Sequence, residues 1–227
     1  MRSRASWLFN TILLCTVSSA AQNALAASTT LEYKGFAYSS SGGTIYADLN
    51  PAKYGLESKS VVAGGFNMIE KSTGTSLIAW CVDVFHALNN KFEYTIGNSN
   101  QLNRADDLQK LVNQRYAEVT DKKTSTAFQL AIWEIVTDTG GGYSLANGTF
   151  QASGFGNAQA LAGNWLKLDG KTSGNYKINY FYDGIMNDKT IAQNLISISS
   201  VPLPGAAILM LSALGLGGLL HRRRRIA

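Results

Sequence analysis

Near Asn103 the hydrophobic period of this chain changes from two to about 3.6, which dictates a fold joining strands to helices. Upstream, Leu31-Glu-Tyr-Lys-Gly-Phe-Ala-Tyr38 and Thr44-Ile-Tyr-Ala-Asp48 carry the aromatic and β-branched residues of strands, and Ser39-Ser-Ser-Gly-Gly43 reads as the turn between them. A loop around Asn50-Pro51 follows. Ser60 to Glu70, the turn Ser72-Thr73-Gly74 and Leu77 to His86 then predict a hairpin with Cys81 on its second strand. Strand parity puts Cys81 on one face with Ala79 and Asp83, and Trp80, Val82, Val84 and His86 on the other.

Downstream, Leu108, Leu111, Val112, Tyr116 and Val119 form one apolar helical stripe. A second helix is predicted from Thr124 or Ser125, either of which can cap it, to about Thr137. Thr139-Gly-Gly-Gly142 ends it and opens a Gly- and Asn-rich loop up to Gly156. A third helix, Asn157 to Leu168, is expected to bury Leu161, Trp165 and Leu168. Strands at Tyr176 to Asp183 and Asn194 to Ser200 close the body. This order gives an α+β fold: antiparallel strands with an inserted helical portion.

Both ends of the chain read as addresses. Arg2 and Arg4 precede an apolar run from Trp7 to Val17, and Ala24-Leu25-Ala26 matches an A-x-A cleavage site, so residues 1–26 are expected to be a secretory signal peptide. That run is shorter than the ~20 apolar residues of a spanning helix. At the other end, residues 201–227 comprise Val201-Pro202-Leu203-Pro204, a 16-residue apolar run from Gly205 to Leu220, His221, and Arg222, Arg223, Arg224 and Arg225. As a helix the run would be about 24 Å long, enough to span a bilayer with thinning or snorkelling, and the arginines would stay on the cytoplasmic side. This tripartite tail resembles the PEP-CTERM sorting signal of exported proteins in Gram-negative bacteria that make exopolysaccharide, with Leu203 where the name-giving motif has Glu. The resemblance implies a transient hold in the inner membrane, release by an exosortase, and a final place at the cell surface or in the extracellular matrix.

Charge then excludes one class of partner. The formal net charge is +5, but six of the twenty cations lie in the two terminal segments, leaving 14 basic against 15 acidic residues in the body, 27–200. A phosphate-binding face needs a clustered excess of Lys and Arg, so no nucleic-acid partner is expected.

Of the two cysteines, Cys15 leaves with the signal peptide and Cys81 stays, alone in an oxidising compartment. Four readings compete: a buried inert thiol, an intermolecular disulfide, a nucleophile, or a covalent bond to something other than sulfur. By residue type alone the buried thiol is favoured. Gln129 stands in an otherwise mostly apolar run, where a polar amide needs a hydrogen-bond partner or a covalent one. Trp80-Cys81-Val82-Asp83 and Ala127-Phe128-Gln129-Leu130-Ala131-Ile132-Trp133 together resemble the thioester domains of bacterial surface proteins and adhesins. The resemblance implies an internal thioester between the Cys81 sulfur and the Gln129 acyl group, formed with loss of ammonia. Trp80, Asp83, Phe128 and Trp133 would make its environment, the three rings as shields against water. Protein amines or polysaccharide hydroxyls would be the covalent targets. Such a bond is spent once, so the expectation is a covalent binder without cofactor or metal, not an enzyme. A cysteine hydrolase would need His86, the one histidine of residues 27–200, as base, and strand parity puts it opposite Cys81. Cys81, Asp83 and His86 also lack the spacing of zinc ligands. A passive matrix protein with a buried thiol is the other alternative.

Overall fold

The chain forms β1 (Ser28–Phe36), β2 (Ser41–Asp48), β3 (Leu56–Ala63), β4 (Phe66–Glu70), β5 (Ser76–Cys81), β6 (Lys91–Asn98), α1 (Ala105–Arg115), α2 (Lys122–Thr137), β7 (Phe150–Ser153), α3 (Asn157–Trp165), β8 (Tyr176–Tyr182) and β9 (Leu195–Ser200). The computed structural model describes residues 27–48, 56–84, 86–138, 140–170, 174–183 and 192–201. The signal peptide, the Asn50-Pro51 loop and the tail from Pro202 onward lie outside them. Among the described residues no helix is long and apolar enough to cross a membrane.

The fold is α+β, and its strands make two sheets. Six close into an antiparallel barrel in the order β1-β4-β5-β9-β8-β6, and a three-stranded sheet has the order β3-β2-β7. The expected hairpin of β4 and β5 is present, with Phe66 opposite Ala79 and Met68 opposite Leu77. The expected turn between β1 and β2 is not a hairpin. β1 pairs with β4 and β6, while β2 pairs with β3 and β7, so residues 37–40 carry the chain from one sheet to the other. The run from Ser60 to Glu70 is likewise two strands of different sheets, broken at Gly64-Gly65. Gly64 has φ +156°, and a Cβ there would lie 1.7 Å from Ser40 Oγ, so only glycine fits where the two crossings meet.

One helix, α2, touches both sheets, and α1 and α3 pack on it. Every residue of α2 from Ser125 to Ile135 is buried, because the helix touches α1, α3, β5 and all three strands of the small sheet. It starts two to three residues before the expected point, since Asp121 caps it. The Asp121 side chain accepts from the Thr124 N–H at 2.8 Å, and Thr124 Oγ1 accepts from the Asp121 N–H at 3.0 Å. Two hydroxyls then tie α2 to the corner between the sheets: Ser125 Oγ accepts from the Gly65 N–H, and Thr126 Oγ1 donates to the Ala63 carbonyl. In α1 the expected stripe buries Leu108, Leu111 and Val112, and Tyr116 begins a 3-10 turn. α3 ends at Trp165, earlier than expected, and buries Ala158 and Ala162 beside Trp165, with Leu161 half-buried.

Candidate functional site

Cys81 is the last residue of β5, and Gln129 lies in the middle of α2, past its first turn. Both are 0 % exposed. The structure brings them together across 48 residues of sequence: the Cys81 N–H donates to Gln129 Oε1 at 3.0 Å, and Gln129 Nε2 donates to the Cys81 carbonyl at 2.7 Å. The side-chain amide therefore takes the place of a neighbouring strand on that edge of Cys81. On the opposite edge Cys81 is in register with Leu195 of β9.

Trp80 faces α2, its ring edge-on to Phe128 with centroids 4.9 Å apart. Phe128 also meets Tyr116 and Trp165, and Trp133 meets Phe150. Of the three rings expected around the pair, Trp80 and Phe128 are fully buried and Trp133 is 3 % exposed. The indole N–H groups of Trp80 and Trp133 have no hydrogen-bond partner.

Burial pushes the Cys81 thiol far above its usual range. The indole N–H of Trp133, turned toward the sulfur but short of a formed hydrogen bond, works against that, as does the Asp83 N–H, which donates to Sγ at 3.2 Å. A thiol so placed does not ionise unaided at neutral pH.

The strand-parity reading of residues 82–86 is corrected by the structure. β5 stops at Cys81: the Val82 N–H still bonds in register to the Asn194 carbonyl, but the chain bends there and the Asp83 N–H turns back to Cys81 Sγ. Asp83 and His86, assigned to opposite faces, instead pair through Asp83 Oδ2 and His86 Nδ1 at 2.5 Å. The exclusion of a hydrolase on parity therefore falls.

Sequence reasoning missed β6 and the segment before β9. β6 was visible in the alternation of Phe92, Tyr94 and Ile96; its Tyr94 is fully buried and donates to the Gln193 carbonyl. Gln193, 8 % exposed, donates from Nε2 to the carbonyls of both Asp83 and His86 at 3.1 Å, and its Oε1 has no partner. Nothing local in its sequence marks it.

Immediately after Trp133, a second polar cluster, begun by Glu134, fixes the end of α2. Glu134, fully buried, accepts from the Ser144 N–H at 2.6 Å, and Asp138 accepts from the Gly140 N–H at 2.8 Å. Arg104 donates to the Gly140 carbonyl and to the Tyr143 hydroxyl, which donates to Asp107. Burial, with Asp138 beside it, pushes the Glu134 carboxyl up to about 7. A carboxyl raised on folding stabilises the fold fully below its unfolded pKa of about 4.5 and ceases to do so as pH rises through about 7. Stability is thus expected to fall by up to about 3 kcal/mol between these values, and Glu134→Gln to flatten that slope, as read by urea melts from pH 4.5 to 8. An unchanged slope in the variant would assign it elsewhere.

No protein-family model matches this chain, and no curated protein does. Among solved structures it is similar to the N-terminal thioester domain of a surface protein from Clostridium perfringens, in a cysteine-to-alanine mutant. Identity is 14 %, the TM-score is 0.40, and the match covers 60 % of this chain and 89 % of that one. So distant a likeness carries no function across.

Proposed function

We propose that this chain is an exported surface or matrix protein that binds its target covalently through a thioester between Cys81 and Gln129, sorted by a PEP-CTERM-type tail. The observation that carries the reading is the Gln129 amide, buried and held in both directions by the main chain of Cys81. Those bonds suit the chemistry. When sulfur attacks the amide carbon, the S–C bond forms and charge grows on Oε1, which faces the Cys81 N–H, a donor of the oxyanion-hole kind. The C–N bond then breaks, and ammonia leaves from beside the Cys81 carbonyl, carrying the thiol proton. The thioester stores reactivity an amide lacks, and Trp80, Phe128 and Trp133 keep water from it. An amine or hydroxyl then takes the acyl group once and frees the thiol, so the protein ends attached to its target rather than turning over.

A passive matrix protein accounts for the same two hydrogen bonds as a structural staple, and intact mass separates the two. The freshly exported domain is expected to weigh one ammonia less than its sequence and to gain one methylamine, on Gln129. Cys81→Ala and Gln129→Ala are each expected to abolish both effects. Full sequence mass with a free Cys81 thiol and unmodified Gln129 would end the reading.

The export half of the proposal rests on Arg2, Arg4, the Ala24-Leu25-Ala26 site and the tail from Val201 to Arg225. Terminal peptide mapping of the released protein tests it: peptides from Met1 or Arg222 in that form would count against it.

A further inference from the structure

We infer that Asp83 and His86 form the proton relay of this site, His86 accepting a proton from the incoming nucleophile and returning one to the departing sulfur. The inference rests on the thioester reading and adds to it the group that moves the proton.

Asp83 stands between the sulfur and His86 and meets each with a different group, its main-chain N–H on one side and its carboxylate on the other. The Asp83 N–H donates to Cys81 Sγ at 3.2 Å, and Asp83 Oδ2 meets His86 Nδ1 at 2.5 Å. The Asp83 side chain is 14 % exposed and that of His86 36 %, so the pair bridges the closed site and solvent. The loop bearing it is pinned from one side: Gln193 Nε2 donates to the Asp83 and His86 carbonyls, the Gln193 N–H to the Ala87 carbonyl, and the Val82 N–H to the Asn194 carbonyl. With Nδ1 turned to a carboxylate, the network assigns the proton to Nδ1 and leaves Nε2 as acceptor. The buried Gln193 Oε1, lacking a partner, is an acceptor open to a nucleophile's N–H or O–H.

Among the described residues near the site, no other group suits the task. Burial holds Tyr94 above the usual phenol range and pushes Tyr180 up to about 12, so neither accepts a proton at neutral pH. Asp183 accepts from the Ala192 N–H and acts on Tyr94 only through its charge. The thiol itself is held high by burial, so sulfur leaves poorly as a thiolate and needs a proton as the C–S bond breaks.

The steps balance. The amine nitrogen bonds to the Gln129 acyl carbon, its proton passes to His86 Nε2, the C–S bond breaks with its electron pair on sulfur, and the imidazolium returns a proton to give the thiol. Thioester and amine become amide and thiol, with neutral His86 restored.

The test uses the exported protein and methylamine, following adduct mass with time from pH 5 to 8.5, with rates expressed per unprotonated amine. For wild type the rate is expected to rise with pH in one step. His86→Ala should keep the ammonia-deficient mass, lose that step, slow by about 10²–10⁴-fold, and recover with added imidazole. Asp83→Asn, which removes the carboxylate facing Nδ1, should slow the reaction and change its pH profile, and this holds the inference to account if His86→Ala does not fold. Wild-type rate and pH profile in His86→Ala, or a slow variant that imidazole does not rescue, overturns the relay while leaving the thioester standing. A wild-type protein of full mass overturns both.

Discussion

Trp80→Ala is expected to cost about 3–5 kcal/mol, the range for emptying a buried aromatic site. Trp80 is fully buried, edge-on to Phe128 and stacked on Tyr38 at 6.4 Å, and its ring sits where a Cβ on Gly65 would touch it at 3.0 Å. Strand, helix and inter-sheet corner thus meet on one ring, and none can collapse into its space without leaving its register. For a domain of this length the loss corresponds to roughly 10 °C in melting temperature. Thermal melts followed by circular dichroism would measure it, and a loss under about 1 kcal/mol would show that the site relaxes freely.

Gln129→Ala strips the Cys81 N–H and carbonyl of partners where water does not reach. At about 1–3 kcal/mol for each orphaned buried group, the expected cost is about 2–6 kcal/mol. Gln129→Glu is the more telling variant, because it is also what water makes of the thioester. One carboxyl oxygen can accept from the Cys81 N–H, but the other must face the Cys81 carbonyl, which requires a proton. Burial and that carbonyl raise the carboxyl on folding, so the variant's stability should be greatest in acid and be lost as pH rises. Urea melts at pH 5 and pH 8 should diverge for Gln129→Glu further than for wild type. Equal divergence would mean the amide has left its pocket.

The pairing of Cys81 with Gln129 was legible only through the resemblance carried by Trp80-Cys81-Val82-Asp83 and Ala127 to Trp133, because residue type and periodicity alone favour an inert buried thiol and an ordinary helix glutamine. Helix existence was legible locally: α1 and α3 each bury a periodic face, and α2 is an apolar run long enough to be a buried helix. Barrel closure was not, since β1 and β2 look like a hairpin in sequence, and only the crossing at Gly64, where side-chain room fails, separates them. His86 shows the limit most clearly. Parity assumes that a strand continues, but the chain bends at Val82 and the Asp83 N–H turns back to Cys81 Sγ, so the two faces lose their meaning there. Gln193 was unreadable because its role is made wholly by remote carbonyls.

The position of β9 has a mechanical consequence. It runs between β5 and β8, hydrogen-bonded to both, and Val201 leaves it directly, 48 % exposed. Tension entering the domain at Val201 pulls β9 lengthwise against two ladders whose bonds lie across the pull, so they must shear together rather than open in succession. Leu195, at the far end of β9, lies opposite Cys81. Were the molecule tethered through its C-terminal side and joined to a target through Gln129, force would pass from β9 sideways to β5 and then, through the two Cys81–Gln129 hydrogen bonds, into α2, the helix packed against α1, α3 and the small sheet.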